Sequence, residues 1–136
     1  MTKQYHLSLN GYKRGYHLIT RDIVAAVDSL PEAGMMNVFI QHTSAGLTLN
    51  ENADPSVRAD FKSFIDHLIP ENQPLYTHTL EGADDMPAHL KASLIGQSIS
   101  IPIVNGRLAL GTWQGIYYCE FRNYPGTRNI IITVQS

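Results

Sequence analysis

The chain has 136 residues, 43% of them hydrophobic and 16% charged, with a formal net charge of -2 and a pI near 6.3. One domain spanning 1–136 accommodates that length, and one hydrophobic core suffices for it. Ten Lys and Arg scattered along the chain form no basic stripe, which argues against a nucleic-acid partner, and no apolar run nears the roughly 20 residues that span a bilayer.

Residues 4–9 alternate in polarity and predict a first strand. Gly11 and Gly15 bracket a turn, and Tyr16 to Ile19 reads as a short second strand. Thr20 is placed to cap a helix whose apolar positions are Ile23, Val24, Val27 and Leu30, with Pro31 and Gly34 closing it. Residues 35–41 predict a strand with Met36, Val38 and Ile40 on one face and His42 at the end of that face. The hydroxyl-rich segment 43–55 reads as a functional loop. Asp54 then caps a helix with Pro55 in its first turn, and Val57, Phe61, Phe64, Ile65 and Leu68 form its apolar stripe.

A turn-rich connector, 70–76, leads to the densest chemistry of the chain, residues 77–96. His78 and His89 there flank Glu81, Asp84 and Asp85, Gly82 bends the backbone, and Pro87 starts a helix that Gly96 ends. Met86, Leu90 and Leu94 recur every four residues and are expected to face the core; Asp85 and Ser93 are the i±4 neighbours of His89. Ile99, Ile101 and Ile103 alternate before Asn105-Gly106, the strongest hairpin signal of the chain, and Leu108 and Leu110 answer on the return. Strands over 116–122 and 128–134 follow the turn Gly111–Gly115. Helices interrupting a hairpin-rich chain make the fold class α+β, with a large, mainly antiparallel sheet.

Cys119 is the only cysteine, so no intrachain disulfide forms, and its mid-strand position suits a small buried side chain better than a reactive thiolate. The first residues contain no apolar signal-peptide core. Both features favour a cytoplasmic protein. The charged share lies below the roughly 25% of an average soluble domain, so part of the surface is expected to be covered, most simply by oligomerisation.

Three histidines from different elements, His42, His78 and His89, are the candidate metal ligands. Three imidazoles with an open position suit a divalent cation, zinc or magnesium, while the same groups could bind phosphate or sulfate directly. The spacing matches neither His-Glu-x-x-His nor a cysteine-pair signature. Glu81, Asp84 and Asp85 could supply an additional ligand or fix the imidazole tautomers, Asp84 and Glu120 are candidate bases or metal-orienting carboxylates, and Arg122 and Arg128 candidate anion clamps. Glu120 and Arg122 share the strand parity of Ile116 and Tyr118. Gly115, Gln114 and Trp113 form a turn able to approach a ligand, with Trp113 free to stack on a flat ring or to pack across a subunit boundary. Ser44 lies two residues from His42, yet no Gly-x-Ser-x-Gly elbow accompanies it.

Four separated motifs resemble the YjbQ-like family, also labelled the secondary thiamine-phosphate synthase enzyme family. They are His42-Thr-Ser-Ala-Gly-Leu-Thr48 with Glu51-Asn52-Ala-Asp54-Pro55; His78 with Glu81 to Lys91; Arg107 to Gly115; and Glu120-Phe-Arg122. The resemblance covers nearly the whole chain. It implies a sandwich-like arrangement around a large antiparallel sheet with about three helices, a homotrimer, and a metal or anion site at His42, His78 and His89. The activity it implies joins hydroxymethylpyrimidine diphosphate to thiazole phosphate with release of diphosphate. In that reaction Arg122 or Arg128 would offset leaving-group charge, Trp113 would stack on the pyrimidine, and Asp84 or Glu120 would orient water or metal. A metal-dependent hydrolase of a small phosphorylated metabolite and a non-catalytic small-ligand or phosphate-binding protein are the alternatives.

Overall fold

Alternating apolar positions build two antiparallel sheets in the computed structural model, which describes residues 1–136. The elements in chain order are β1 (Thr2–Leu9), β2 (Gly15–Leu18), α1 (Thr20–Ala26), β3 (Ala33–Ile40), β4 (Ala45–Glu51), α2 (Pro55–Leu68), α3 (Asp85–Ile95), β5 (Ser98–Val104), β6 (Arg107–Leu108), β7 (Gln114–Glu120) and β8 (Arg128–Gln135). Five strands pair in the order β1-β8-β3-β5-β6, and three in the order β2-β7-β4. The fold is α+β, as expected, with the large antiparallel arrangement divided between the two sheets.

The main core fills the space between them. Met36, Val38 and Ile40 of β3, Ile130 and Ile132 of β8, and Ile101 and Ile103 of β5 face Leu47, Ile116 and Tyr118 of the smaller sheet. Each such side chain, once buried, contributes about 1.5–3 kcal/mol of hydrophobic stabilisation. The opposite face of the smaller sheet is buried as well, because Tyr117, Cys119 and Phe121 pack against Ala88 and Ala92 of α3. The hairpin between β5 and β6 turns at Asn105 and Gly106, whose φ values of 51 and 74 are those of a two-residue turn with both residues left-handed.

Four local expectations are corrected. Thr20 does not cap α1: the cap position is Ile19, and the Thr20 hydroxyl accepts the Ile116 N–H at 2.9 Å, tying helix to strand. Residues 45–51 form β4 rather than a loop, since Ala45 and Leu47 bury on the core side while Gly46, Thr48 and Asn50 alternate with them. No residue of α2 is buried, and Phe64 and Leu68 of its apolar stripe remain exposed. In α3 the buried face carries Asp85, Ala88, Lys91 and Ala92, whereas Leu90 and Leu94 are exposed.

The rotation of α3 has two causes. Ala88 and Ala92 let the helix lie close on the sheet, at a place where Gly46 of β4 has no Cβ to obstruct it. A methyl added there would come within 2.8 Å of the Gly96 carbonyl oxygen. Ion pairs then decide the remaining positions: Lys91 meets Asp66 of α2, and Asp85 meets Arg122 beyond the end of β7.

Candidate metal centre

Asp85 is the hub of the site. Its side chain is 1% exposed in the first turn of α3, and each carboxylate oxygen has a separate task. Oδ1 accepts from Nη1 of Arg122. Oδ2 lies 2.7 Å from Nε2 of His78 and 3.1 Å from Nε2 of His89. Burial alone would raise the Asp85 pKa, but the His78 hydrogen bond, the His89 ring and Arg122 bring it below the usual carboxylate value.

His89 shows why a cation fits. Its Nδ1–H donates to the Thr43 carbonyl oxygen at 2.9 Å, which leaves the Nε2 lone pair facing Asp85 Oδ2. Two electron-rich atoms at that separation require a shared positive charge, either a proton or a metal ion. His78 completes the set, since the three ligand atoms all lie within 4.8 Å of one another. The backbone carbonyl of Thr43 orients the His89 ring as a supporting acceptor does in established metal sites.

Arg122 fixes the hub from behind. Its Nε donates to Asp84 Oδ2 at 2.9 Å and its Nη2 to the Glu81 carbonyl oxygen at 3.0 Å. Asp84 also accepts the Asn123 N–H at 2.9 Å. Burial disfavours the Asp84 carboxylate, but the Asn123 N–H and Arg122 outweigh it and hold the pKa low. Asp84 occupies the cap position of α3 without a side-chain cap hydrogen bond, its Oδ2 being turned toward Arg122 and Asn123 and accepting from both.

The three histidines named from the sequence line one cleft of about 570 Å³, together with Thr43, Ser93 and Gln97. His42 stands apart from the metal-competent group. Its Nε2 accepts the Asn129 N–H at 2.8 Å, so the proton of the neutral ring resides on Nδ1. Burial, followed by the charge of Arg128, lowers its pKa and favours that neutral form.

Ser44, Glu120 and Arg128 lie beneath the cleft floor as one buried network. Arg128 donates to both Glu120 oxygens, at 2.7 and 2.6 Å, and to Ser44 Oγ at 3.0 Å. The Tyr118 hydroxyl donates to Glu120 Oε1, and burial followed by Glu120 raises the Tyr118 pKa. Arg122 does not share a face with Glu120, because β7 ends at Glu120, where the Glu120 carboxylate accepts the Arg122 N–H at 3.0 Å. Cys119 is buried against α3, and burial raises its pKa.

Trp113, Gln114 and Gly115 do not join the cleft within one chain. Gln114 pairs with Glu51 and Glu120 with Ala45, so these residues lie at the far end of β7. Six residue steps along the strand separate the two ends, roughly 20 Å. Trp113 is exposed there. Of the carboxylates expected from the sequence as an additional ligand, Glu81, Asp84 and Asp85, it is Asp85, four residues before His89, that the fold brings to both histidines.

This arrangement is an α+β fold carrying a candidate two-histidine, one-carboxylate site at the mouth of a cleft. The chain belongs to the YjbQ family, whose model, described as UPF0047 protein YjbQ-like, matches residues 5–136. It is 47% identical over 137 residues to the UPF0047 protein YjbQ of Salmonella typhimurium, covering 99% of each. With the UPF0047 protein YugU of Bacillus subtilis it shares 43% over 115 residues, 84% of each chain. Among solved structures, an uncharacterized conserved YjbQ/UPF0047 family protein from Clostridium acetobutylicum superposes with a TM-score of 0.81 at 39% identity, covering 96% of this chain and 98% of that one. A conserved hypothetical protein from Thermus thermophilus gives 0.81 at 35% identity, covering 93% and 96%. No helix is long and apolar enough to cross a membrane.

Proposed function

We propose that the chain binds one divalent cation through His78, Asp85 and His89 and with it acts on a small phosphorylated metabolite. The observation that carries this reading is His89, whose two ring nitrogens face the Thr43 carbonyl and the Asp85 carboxylate. Two imidazoles and one carboxylate suit zinc better than magnesium, which prefers oxygen ligands. A cation bound there supplies Lewis acidity to phosphoryl oxygens.

The cations of the chain around the site are already committed. Arg122 is held by Asp84 and Asp85, Arg128 by Glu120, and Lys91 by Asp66. A substrate phosphate therefore needs an added positive charge. His42 can assist as a neutral donor, offering Nδ1–H to a phosphate oxygen while Asn129 occupies Nε2. In this reading Asp84 and Arg122 are positioning residues for Asp85, and Glu120 and Arg128 hold the Ser44 corner that carries Thr43.

The reaction to test first is the one the family resemblance implies. Hydroxymethylpyrimidine diphosphate loses diphosphate as its carbon–oxygen bond breaks, and a carbon–nitrogen bond forms to thiazole phosphate. Trp113, Gln114 and Gly115 enter such a site only from a neighbouring copy. We extend the proposal to a cytoplasmic homotrimer; the free Cys119 and the outer face of the larger sheet, with Met35, Phe39 and Ile131, support it. Metal-dependent hydrolysis is a second reading, favoured by the openness of the cleft, where the His78 side chain is 48% exposed and water has access.

Incubation of the zinc-loaded protein with both coupling substrates separates these readings. Diphosphate with thiamine phosphate supports transfer, and orthophosphate from a single substrate supports hydrolysis. A rate no higher than that of His89→Ala in every case leaves a binding protein without turnover.

A further inference from the structure

Beyond the candidate metal ligands the cleft is lined by His42, Thr43, Met86, Ser93 and Gln97. No Phe, Tyr or Trp is among its lining residues, and Met86 is the one apolar side chain. A flat ring therefore finds no Phe, Tyr or Trp to stack on within one chain. The lining offers instead hydrogen-bonding capacity without charge. His42 keeps its Nδ1–H, because Nε2 accepts the Asn129 N–H. Gln97 donates from Nε2 to the Ala92 carbonyl at 3.2 Å, which identifies the nitrogen end of the amide and leaves Oε1 to accept. Thr43 meets His89 through its main-chain carbonyl, so its hydroxyl, like that of exposed Ser93, stays available. These groups lead away from the metal ligands in order. Ser93 follows His89 by one turn of α3, roughly 6 Å along the axis. Gln97 comes next, past the Gly96 turn, where its carbonyl accepts the Ile40 N–H at 2.9 Å.

We propose that the cleft selects the phosphate ester of a polyol or sugar. The phosphate lies at the cation held by His78, Asp85 and His89, and substrate hydroxyls meet His42, Ser93 and Gln97. The inference deepens the proposed function and rests on it for the phosphate end alone. Hydrogen-bond matching carries it. His42 Nδ1–H requires an acceptor, and Gln97 Oε1 requires a donor. A hydroxyl supplies both, whereas the oxygens of a phosphate dianion and an unprotonated ring nitrogen only accept, leaving Gln97 Oε1 unmatched. A second phosphate has no cation to meet it, since Lys91, Arg122 and Arg128 are paired with carboxylates. Size agrees with chemistry: about 570 Å³ leaves room beyond one phosphate for several hydroxylated carbons.

Calorimetric titration of the zinc-loaded protein with glycerol 3-phosphate and with propyl phosphate tests the inference, because the two esters share a carbon chain and differ in hydroxyls. The hydroxylated ester is expected to bind at least about tenfold more tightly. Ser93→Ala is expected to shrink that ratio about threefold or more, while propyl phosphate and zinc bind as they do to the unaltered protein; Gln97→Leu serves as an independent variant. Benzyl phosphate, which brings a ring and no hydroxyl, is expected to bind no better than propyl phosphate. Equal affinity of glycerol 3-phosphate and propyl phosphate, including no binding of either, overturns the proposal. So does tighter binding of benzyl phosphate than of glycerol 3-phosphate, or a hydroxyl preference that neither variant reduces. Absence of zinc binding with the hydroxyl preference intact would instead overturn the metal reading and leave the substrate class standing.

Discussion

Nζ of Lys91 lies 2.6 Å from Oδ1 of Asp66, with the lysine side chain only 2% exposed. Asp66 also receives Arg14 at 2.9 Å and Lys62 at 2.8 Å. No residue of α2 is fully buried, so this carboxylate adds to the packing of Phe61 on Tyr16 in holding the helix to the rest of the fold. Asp66→Asn would leave the Lys91 ammonium buried without its anion. The expected loss is about 3 kcal/mol of stability, read as a lower urea midpoint.

The same carboxylate sets an acid limit. Burial opposes its ionisation, but hydrogen bonds from Lys62, Lys91 and Arg14 win and hold its folded pKa far below the usual value. A depressed folded pKa contributes stability that is fully present above the unfolded value of about 3.9 and is lost as pH falls through the folded value. The melting temperature of the unaltered protein should therefore fall below about pH 4 more steeply than that of Asp66→Asn. Parallel profiles would remove Asp66 as the cause.

Zinc should raise the melting temperature through Asp85 and its two histidines. At a hundredfold excess over Kd the gain is about 2.7 kcal/mol, reversed by chelator. Asp85→Asn and His78→Ala are expected to lose that response. His42→Ala should keep it, because its Nε2 is bound to Asn129 and lies outside the ligand group.

Arg122→Lys isolates the support behind the hub. An ammonium cannot span Asp84, Asp85 and the Glu81 carbonyl together. Zinc affinity measured by competition with a chromogenic chelator should fall about 10- to 100-fold, the usual cost of losing an outer partner. An unchanged affinity would show that Asp85 is held well enough by α3 alone.

Glu120→Gln tests the network under the cleft. It leaves Arg128, which donates to both Glu120 oxygens in the unaltered protein, buried with a neutral partner. The expected cost is about 3–5 kcal/mol. Glu120→Gln with Arg128→Met should recover part of that loss in denaturant titration, since the pair then leaves no charge behind.

Much of this architecture is legible in one dimension. Period-two alternation along Met36, Val38 and Ile40, the Asn105-Gly106 turn and the Asp54-Pro55 helix start are local signals, set by side-chain direction and backbone sterics, and each appears where expected. Local signals fail where tertiary contacts outweigh them. The four-residue recurrence of Met86, Leu90 and Leu94 points α3 the wrong way, because close packing through Ala88, Ala92 and Gly46 and two ion pairs determine its rotation. Residue types and their spacing marked the histidines and acids of the candidate site and the family they resemble. Only the folded chain chose Asp85 over Asp84 as the hub, set His42 against Asn129, and sent Arg128 beneath the cleft floor. Which oxygen meets which nitrogen depends on how α3 docks on the smaller sheet, and that docking is fixed by contacts far apart in sequence.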